Sequence, residues 1–505
     1  MKFFPDTVAA KVNIKIITCM LAAMSLFSCA TYKPEYGMNT GPAPVSDTAV
    51  AKKPAHRFYL IGDAGYANEP HTQAMLGIVS GKLDREGKNT TLFYLGDNIY
   101  PEGMVPDNGS QARKDGEASL ASQLKLSKLF PGQILFIPGN HDWYNGYDGL
   151  REQEKFINKY TGKKTFLPGK GCAIKDVEIN DDITVIAIDS QWYIEDWDDY
   201  PSINDDCDIK TREDLFTEFE DLLNKNQNKV IVVAIHHPLM SNGSHGGQFS
   251  WKKQLFPLPY NVPLPGIGSL INLARKASGY STQDLQSRVY ATLSKRIKTL
   301  IQDKDNVIVI SGHDHNLQYI RHDNIHQIIS GAGSKVEAAR TLYPEDFSYG
   351  GTGYSILDIN EDGTARVYFY SIKDGKEEQV FERNLLEKKK VAIKDYPDTF
   401  PKTASASIYT PEMTDKGGTY RFFFGEHYRQ YYSTPVEAQV VRLDTLYGGL
   451  KPKKAGGGHQ THSLRLEGPD GREYSMRALK KSATRFLQAV AFKDRYMGNT
   501  FEDTF

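Results

Sequence analysis

Five short apolar runs in this chain end in the same way, and together they restrict the folds open to it. Phe58-Tyr59-Leu60-Ile61 runs into Gly62-Asp63, and Leu92-Phe93-Tyr94-Leu95 runs into Gly96-Asp97-Asn98-Ile99-Tyr100. Ile134-Leu135-Phe136-Ile137 leads through Pro138-Gly139 to Asn140-His141-Asp142. Val230 to Ile235 ends in His236-His237-Pro238, and Val307-Ile308-Val309-Ile310 precedes Gly312-His313-Asp314-His315. Runs rich in β-branched and aromatic residues, closed by Gly or Pro, read as buried strands. They predict an α/β fold. In an open α/β sheet, the polar residues after such strands gather in the crevice beyond their carboxyl ends.

The gathered side chains share a chemistry. Carboxylate, phenolate, amide oxygen and imidazole are harder donors without a thiolate, which suits iron, zinc or manganese rather than copper(I) or a cluster. Two such ions need a bridging anion, and Asp97 is the candidate. Between ions ~3.5–4 Å apart, a water can lose its proton near neutral pH and attack phosphorus in line. Each residue also has an ordinary reading. Gly-Asp pairs are common turn residues, Tyr100 could pack its ring and bond its hydroxyl, and a His-x-His pair is often a satisfied surface pair. His236 and His237 compete for one role, and spacing to Pro238 favours His236. The five blocks carry weight as a set.

That set is Gly62-Asp63-Ala64-Gly65, Gly96-Asp97-Asn98-Ile99-Tyr100, Gly139-Asn140-His141-Asp142, Ala234-Ile235-His236 and Gly312-His313-Asp314-His315. It resembles the calcineurin-like metallophosphoesterases and, within them, the purple (tartrate-resistant) acid phosphatase branch. Asp63-Ala64-Gly65 stands where the wider superfamily usually has Asp-x-His, and Tyr100 stands where the branch has its iron-binding phenolate. The resemblance covers roughly residues 56–375. It implies a four-layer, α+β-like β-sandwich flanked by helices, with the catalytic domain over 56–385. It also implies two metal ions, Fe(III) held by Asp63, Asp97, Tyr100 and His315, and Fe(II), Zn(II) or Mn(II) held by Asp97, Asn140, His236 and His313. His141 and His245 match histidines that meet substrate phosphate or the leaving group, and general acid help there is typically worth ~10²–10⁴-fold. The implied activity is hydrolysis of a phosphate-ester substrate by a metal-bound hydroxide, as an acid-phosphatase-like phosphomonoesterase. A phosphodiesterase on the same scaffold and a non-enzymatic envelope protein are the alternatives.

The remaining features concern address and organisation. A net charge of −1 without a basic stripe leaves no nucleic-acid footprint. The 505 residues exceed one ordinary domain. Lys2, Lys11 and Lys15 precede the apolar stretch from Ile16 to Ser28, too short for a comfortable span, so residues 1–28 read as a signal peptide. Leu26-Phe27-Ser28-Cys29 resembles a bacterial lipobox with a bulky middle residue. It implies an exported lipoprotein anchored to the membrane through Cys29 in the bacterial cell envelope, periplasmic or outer-membrane associated. A conventional signal peptide with an incidental Cys is the other reading. Residues 29–55, with Pro34, Pro42, Pro44 and Pro54, read as a flexible tether. Cys172 and Cys207 flank the strand-like Ile183–Ile188, and an exported compartment permits their bridge.

Two insertions adjoin the blocks. The Pro-rich stretch between His236 and a helix near Gln283–Gln302 is placed to form a rim or lid, or a loop elsewhere, and Pro101–Ser122 reads as a loop beside Tyr100. Tyr354–Ile359 and Ala365–Tyr370 form a predicted hairpin, and the run Glu387-Lys388-Lys389-Lys390 marks a boundary. Beyond it, residues 396–505 form a smaller β-rich region, with strands predicted at 420–424, 437–443, 463–467 and 473–477. This tail carries no catalytic signature, and His459 and His462 are read as structural. Docking to an envelope partner and truncation of a longer chain are the two readings of its role.

Overall fold

The computed structural model describes residues 29–42, 53–256, 263–264, 267–387, 401–406, 434–456 and 463–477. The chain divides into two compact units between Lys389 and Lys390, at the charged run. In the first unit, β1 (Glu35–Tyr36), β2 (His56–Ile61), β3 (Thr90–Leu95), β4 (Gln133–Ile137) and β5 (Ile174–Asn180) come first. They are followed by β6 (Ile183–Ile188), β7 (Val230–Ile235), β8 (Val307–Ser311), β9 (Leu317–His322) and β10 (Ile325–Ser330). β11 (Phe347–Tyr349), β12 (Gly353–Ile359), β13 (Ala365–Lys373) and β14 (Lys376–Leu386) complete the unit.

These strands form two sheets, as the sandwich implied by the resemblance requires. One has the order β14-β13-β12-β2-β3-β4 and the other β1-β11-β9-β10-β8-β7-β6-β5. Every second residue of the central strands enters a shared core: Phe58, Leu60, Phe93 and Leu95 from the first sheet, Val232, Ala234, Ile308 and Ile310 from the second. The parallel pairs β2–β3, β3–β4, β6–β7 and β7–β8 need crossovers. Helices Pro70–Leu83, Gln111–Leu124, Arg212–Lys225 and Arg288–Ile301 lie in those connections. A strand packed on a partner sheet at one face and covered at the other is apolar throughout, so its sequence does not say which sheet it joins. The ends of β2, β3 and β4 meet those of β7 and β8 at the seam between the sheets.

Three expectations change. Residues 29–42 are no tether: β1 pairs with β11, Ala30 and Thr31 bridge to Ser250 and Ala339, and Ala30 is buried. The loop after Tyr100 becomes helical at Gln111, capped by the Ser110 hydroxyl, which accepts the Arg113 N–H. That helix buries Arg113, Gly116, Ser119 and Gln123 alongside Leu120 and Leu124, so its apolar period is weak. Finally, β14 extends the predicted hairpin by a third strand. Cys172 and Cys207 are bridged across the β5–β6 region.

In the second unit, Thr403–Ala406 pairs with Val436–Gln439, and Lys451–Gly456, Ser463–Glu467 and Glu473–Arg477 form an antiparallel sheet. The strand predicted at 437–443 is shorter, and the predicted strand at 420–424 lies outside the described residues, as do the signal peptide, His459 and His462.

Candidate metal centre

Oxygen donors reach the seam from the six-stranded sheet. Asp63 follows β2 and Asp97 follows β3, both fully buried and both left-handed, with φ of 57° and 53°. His313, after β8, shares that conformation at φ 70°. Such backbone costs about 1–3 kcal/mol per residue, although Asp and His tolerate it better than most. Close approach explains the preceding glycines. A Cβ on Gly139 would overlap the Asp97 carboxylate and backbone, and one on Gly312 would lie 2.6 Å from Asp63 Oδ2.

The Tyr100 hydroxyl lies 3.0 Å from Asp63 Oδ1, 3.0 Å from Asp97 Oδ2 and 3.2 Å from His315 Nε2. One phenolic proton cannot serve three acceptors. Burial and the adjacent Asp97 push the Asp63 carboxyl well up. Burial also opposes ionisation of Asp97, yet the His236 and His141 imidazoles outweigh it and bring that group to about 2. Burial, then the two carboxylates, hold the Tyr100 phenol well above its ordinary value. A cation among these groups would relieve all three conflicts.

Nitrogen donors come from the eight-stranded sheet. His236 Nδ1 donates to the Leu95 carbonyl at 2.7 Å, which leaves Nε2 bare and 3.2 Å from Asn140 Oδ1. His313 Nε2 donates to the Gln283 carbonyl at 2.8 Å, so its bare Nδ1 lies 3.1 Å from the same oxygen. The Asn140 amide orientation is fixed because its Nδ2 donates to the Tyr144 hydroxyl at 2.6 Å. Two imidazole lone pairs and an amide oxygen thus converge with no proton between them, a set that fits a cation. Burial lowers both imidazoles, which favours the neutral, ligating form, and lowers His315 to about 3. Asp97 joins the two groups: Oδ2 faces Tyr100, and Oδ1 lies 3.4 Å from His236 Nε2. Donor atoms of Asp63, Asp97 and His236 all lie within 4.8 Å of one another.

His141 and His245 stand at this centre. The His141 N–H donates to Asp97 Oδ1 at 2.9 Å, its Nε2 is 3.9 Å from Asp97 Oδ2, and its Nδ1 meets the Pro101 carbonyl. The His245 ring stacks on His313 with centroids 4.0 Å apart. Asp142 organises the loops, accepting from the N–H groups of Gly139 and Asn98 at 2.8 and 3.0 Å and from Gln153 Nε2 at 2.9 Å. His237 is buried against His313, ring centroids 4.2 Å apart, but both its ring nitrogens are engaged, Nε2 donating to Gln283 Oε1 and Nδ1 accepting from the Ser190 hydroxyl. His322 is exposed, and His326 accepts from the Tyr319 hydroxyl at 2.8 Å.

Sequence reasoning missed the outer support. Asp284 accepts from His245 Nδ1 at 2.9 Å and is held in turn by Arg275, whose Nε and Nη2 donate at 2.6 and 2.7 Å. Lys335 places its ammonium 3.3 Å from the Tyr100 ring centroid. Only position hinted at the first pair: both residues end the Pro-rich insertion read as a rim, whose segment at Gln283 and Asp284 does touch the site.

A family model for the calcineurin-like phosphoesterases matches residues 56–317. No curated protein matches the chain in sequence. Similar solved structures include GAP50, the anchor in the inner membrane complex of Plasmodium, at 17% identity and a TM-score of 0.43, covering 67% of this chain and 91% of that one. Another is purple acid phosphatase PPD1 from yellow lupin (Lupinus luteus) seeds, at 13% and 0.42, covering 66% and 54%. PhoD matches at 14% and 0.39, covering 68% and 71%. With more than half its length matched by that family model, the chain belongs to the calcineurin-like phosphoesterases, metal-dependent phosphoric ester hydrolases that work through a dinuclear centre.

Proposed function

We propose that the chain is an exported, lipid-anchored phosphomonoesterase of the purple acid phosphatase kind. In this reading Asp63, Asp97, Tyr100 and His315 hold Fe(III), and Asp97, Asn140, His236 and His313 hold Fe(II), Zn(II) or Mn(II). The observation that carries it is the Tyr100 hydroxyl, set within 3.2 Å of two carboxylates and an imidazole. A phenol so placed suits ligation to a hard trivalent ion.

When bound, the ions polarise phosphoryl oxygens and bring the pKa of water toward neutrality. The chain supplies the rest. Asp97 spans both donor groups and sets their separation. His141, its backbone tied to Asp97 and its Nδ1 to Pro101, presents Nε2 at the open side to a phosphoryl oxygen. His245, with Nδ1–H donated to Asp284, keeps Nε2 for the leaving oxygen, where a proton must arrive as the P–O bond breaks.

Metal analysis of purified protein, with p-nitrophenyl and bis-p-nitrophenyl phosphate as paired substrates, tests the reading. Two ions per chain and preference for the monoester are expected. A visible absorption band lost in Tyr100→Phe tests the ferric site separately. A metal-free preparation that releases no phosphate would overturn the proposal, and preference for the diester would replace it with the phosphodiesterase alternative.

A further inference from the structure

The helix Ile267–Ser278 is amphipathic in the wrong sense for an ordinary surface helix, which turns its apolar stripe to the core. The positions that face the protein are not apolar: Gly268 is buried, Asn272 donates to the Lys253 carbonyl, and Arg275 clasps Asp284, while Ser269 and Lys276 are exposed. Its apolar positions face outward. Leu270 is 65% and Leu273 61% exposed, with Ile267, Ile271 and Ala274 beside them. Trp251, in the neighbouring helix Trp251–Leu255, is 57% exposed. No charged residue lies between Lys253 and Arg275 in sequence, and the exposed cations Lys252 and Lys276 stand at the two ends of this stretch.

A second observation bears on the occupant of this face. Cys29 lies against the neighbouring helix: its Sγ is 4.0 Å from Gln254 Nε2, and Gln254 Oε1 in turn accepts from the Ser269 hydroxyl of the apolar helix at 2.6 Å. Cys29, which follows the apolar stretch Ile16–Ser28 in sequence, therefore sits next to the element that carries the outward apolar face. No helix among the described residues is long and apolar enough to cross a membrane. An apolar face, an aromatic residue and flanking cations are the composition of a helix that lies in a bilayer interface.

We propose that Ile267–Ser278, with Trp251, docks into the headgroup region of an anionic bilayer beside Cys29. The assignment of Cys29 as the anchor rests on the lipoprotein reading above, whereas the apolar face does not. Because Arg275 on the inner side of this helix holds Asp284, and Asp284 holds His245, the docking surface is three side chains from the metal centre.

The test uses the mature chain from residue 29 carrying Cys29→Ser, so that no acyl chain contributes, sedimented with phosphatidylethanolamine–phosphatidylglycerol vesicles. It should partition onto them, and more weakly onto pure phosphatidylcholine. Adding Leu270→Glu and Leu273→Glu should lower the partition coefficient at least tenfold, with hydrolysis of a soluble aryl phosphate and the thermal midpoint unchanged. The milder pair Leu270→Gln and Leu273→Gln should act in the same direction should the glutamates impair folding. Equal partitioning of parent and variants, or a parent that stays in the supernatant, overturns the proposal. A dimer abolished by the same substitutions, without vesicle binding, assigns the face to a second copy and overturns it too. Mass spectrometry of the natively expressed chain separates the two readings: an unacylated Cys29 removes the anchor and leaves the vesicle result standing.

Discussion

The two sheets bring different chemistry to the seam, and they support it differently. Strands β2, β3 and β4 end in Asp63, Asp97, Tyr100 and Asn140, all oxygen donors, whereas β7 and β8 end in His236, His313 and His315. The oxygen half is built mainly from short local turns, with the His313 N–H donated to Asp63 Oδ2 and Lys335 over the Tyr100 ring as its distant ties. Its donors sit within a few residues of their strands, and one buried carboxylate, Asp142, ties the loops after β3 and β4 together. The imidazole half leans on distant residues: the Gln283 carbonyl sets the His313 tautomer, and Asp284 with Arg275 holds His245. A donor set can thus be built from short local turns on one side and from a long insertion on the other, with the bridging residue contributed by the local side.

Substitutions should expose that asymmetry. The largest effect is expected for Asp97→Ala, the residue shared by both groups, which should release both ions and abolish hydrolysis, as metal analysis and phosphate release would show. Retention of one full metal equivalent would break the idea of a shared carboxylate. His141→Ala and His245→Ala should each slow turnover by ~10²–10⁴-fold with both metals retained, and the His245 loss should shrink for esters with acidic leaving groups. Asp284→Asn, which touches only the outer support of the imidazole half, should cost about 10–100-fold in activity. Its signature is a loss in kcat that Arg275→Lys reproduces in part, without a change in metal content.

Two stability measurements sharpen the comparison further. Reducing Cys172–Cys207, which closes a loop around β5 and β6 at the edge of the eight-stranded sheet, should cost about 2–4 kcal/mol in urea unfolding. His56 and His326, one in each sheet, are both lowered by burial to about 4, with nearby Arg321 and Arg383 adding to the effect at His326. The unfolded chain binds protons that these folded imidazoles refuse. Their contribution, on the order of 1–3 kcal/mol each, is therefore complete above about pH 6.5 and lost as pH falls toward 4. Urea midpoints at pH 7 and pH 5 should converge in His56→Gln and His326→Gln.

The same asymmetry governed what could be read in advance. The donor strands were legible because a strand buried on both faces is apolar throughout, and every donor but His236, which comes directly off its strand, follows within a few residues of a Gly. Which of the two sheets each run joins was not, since such runs look alike in either. Gln283, Asp284 and Arg275 form no local pattern; only the folded insertion brings them to His313 and His245. The helix Gln111–Leu124 hid because it buries polar side chains, and β14 because its charged residues obscure the alternation. Residues 29–42 read as a tether because β1 is only two residues long and its partner, β11, lies more than three hundred positions away.

The left-handed turns at Asp63, Asp97 and His313 carry one more consequence. They hold three buried donors in unfavourable backbone conformations within tightly packed surroundings. The expected behaviour is that of a rigid socket rather than a loop that wraps its guest. Stripping the ions with a chelator should therefore leave the two sheets standing and the socket open, and reloading should be limited by shedding of water from the incoming ion rather than by refolding of the chain.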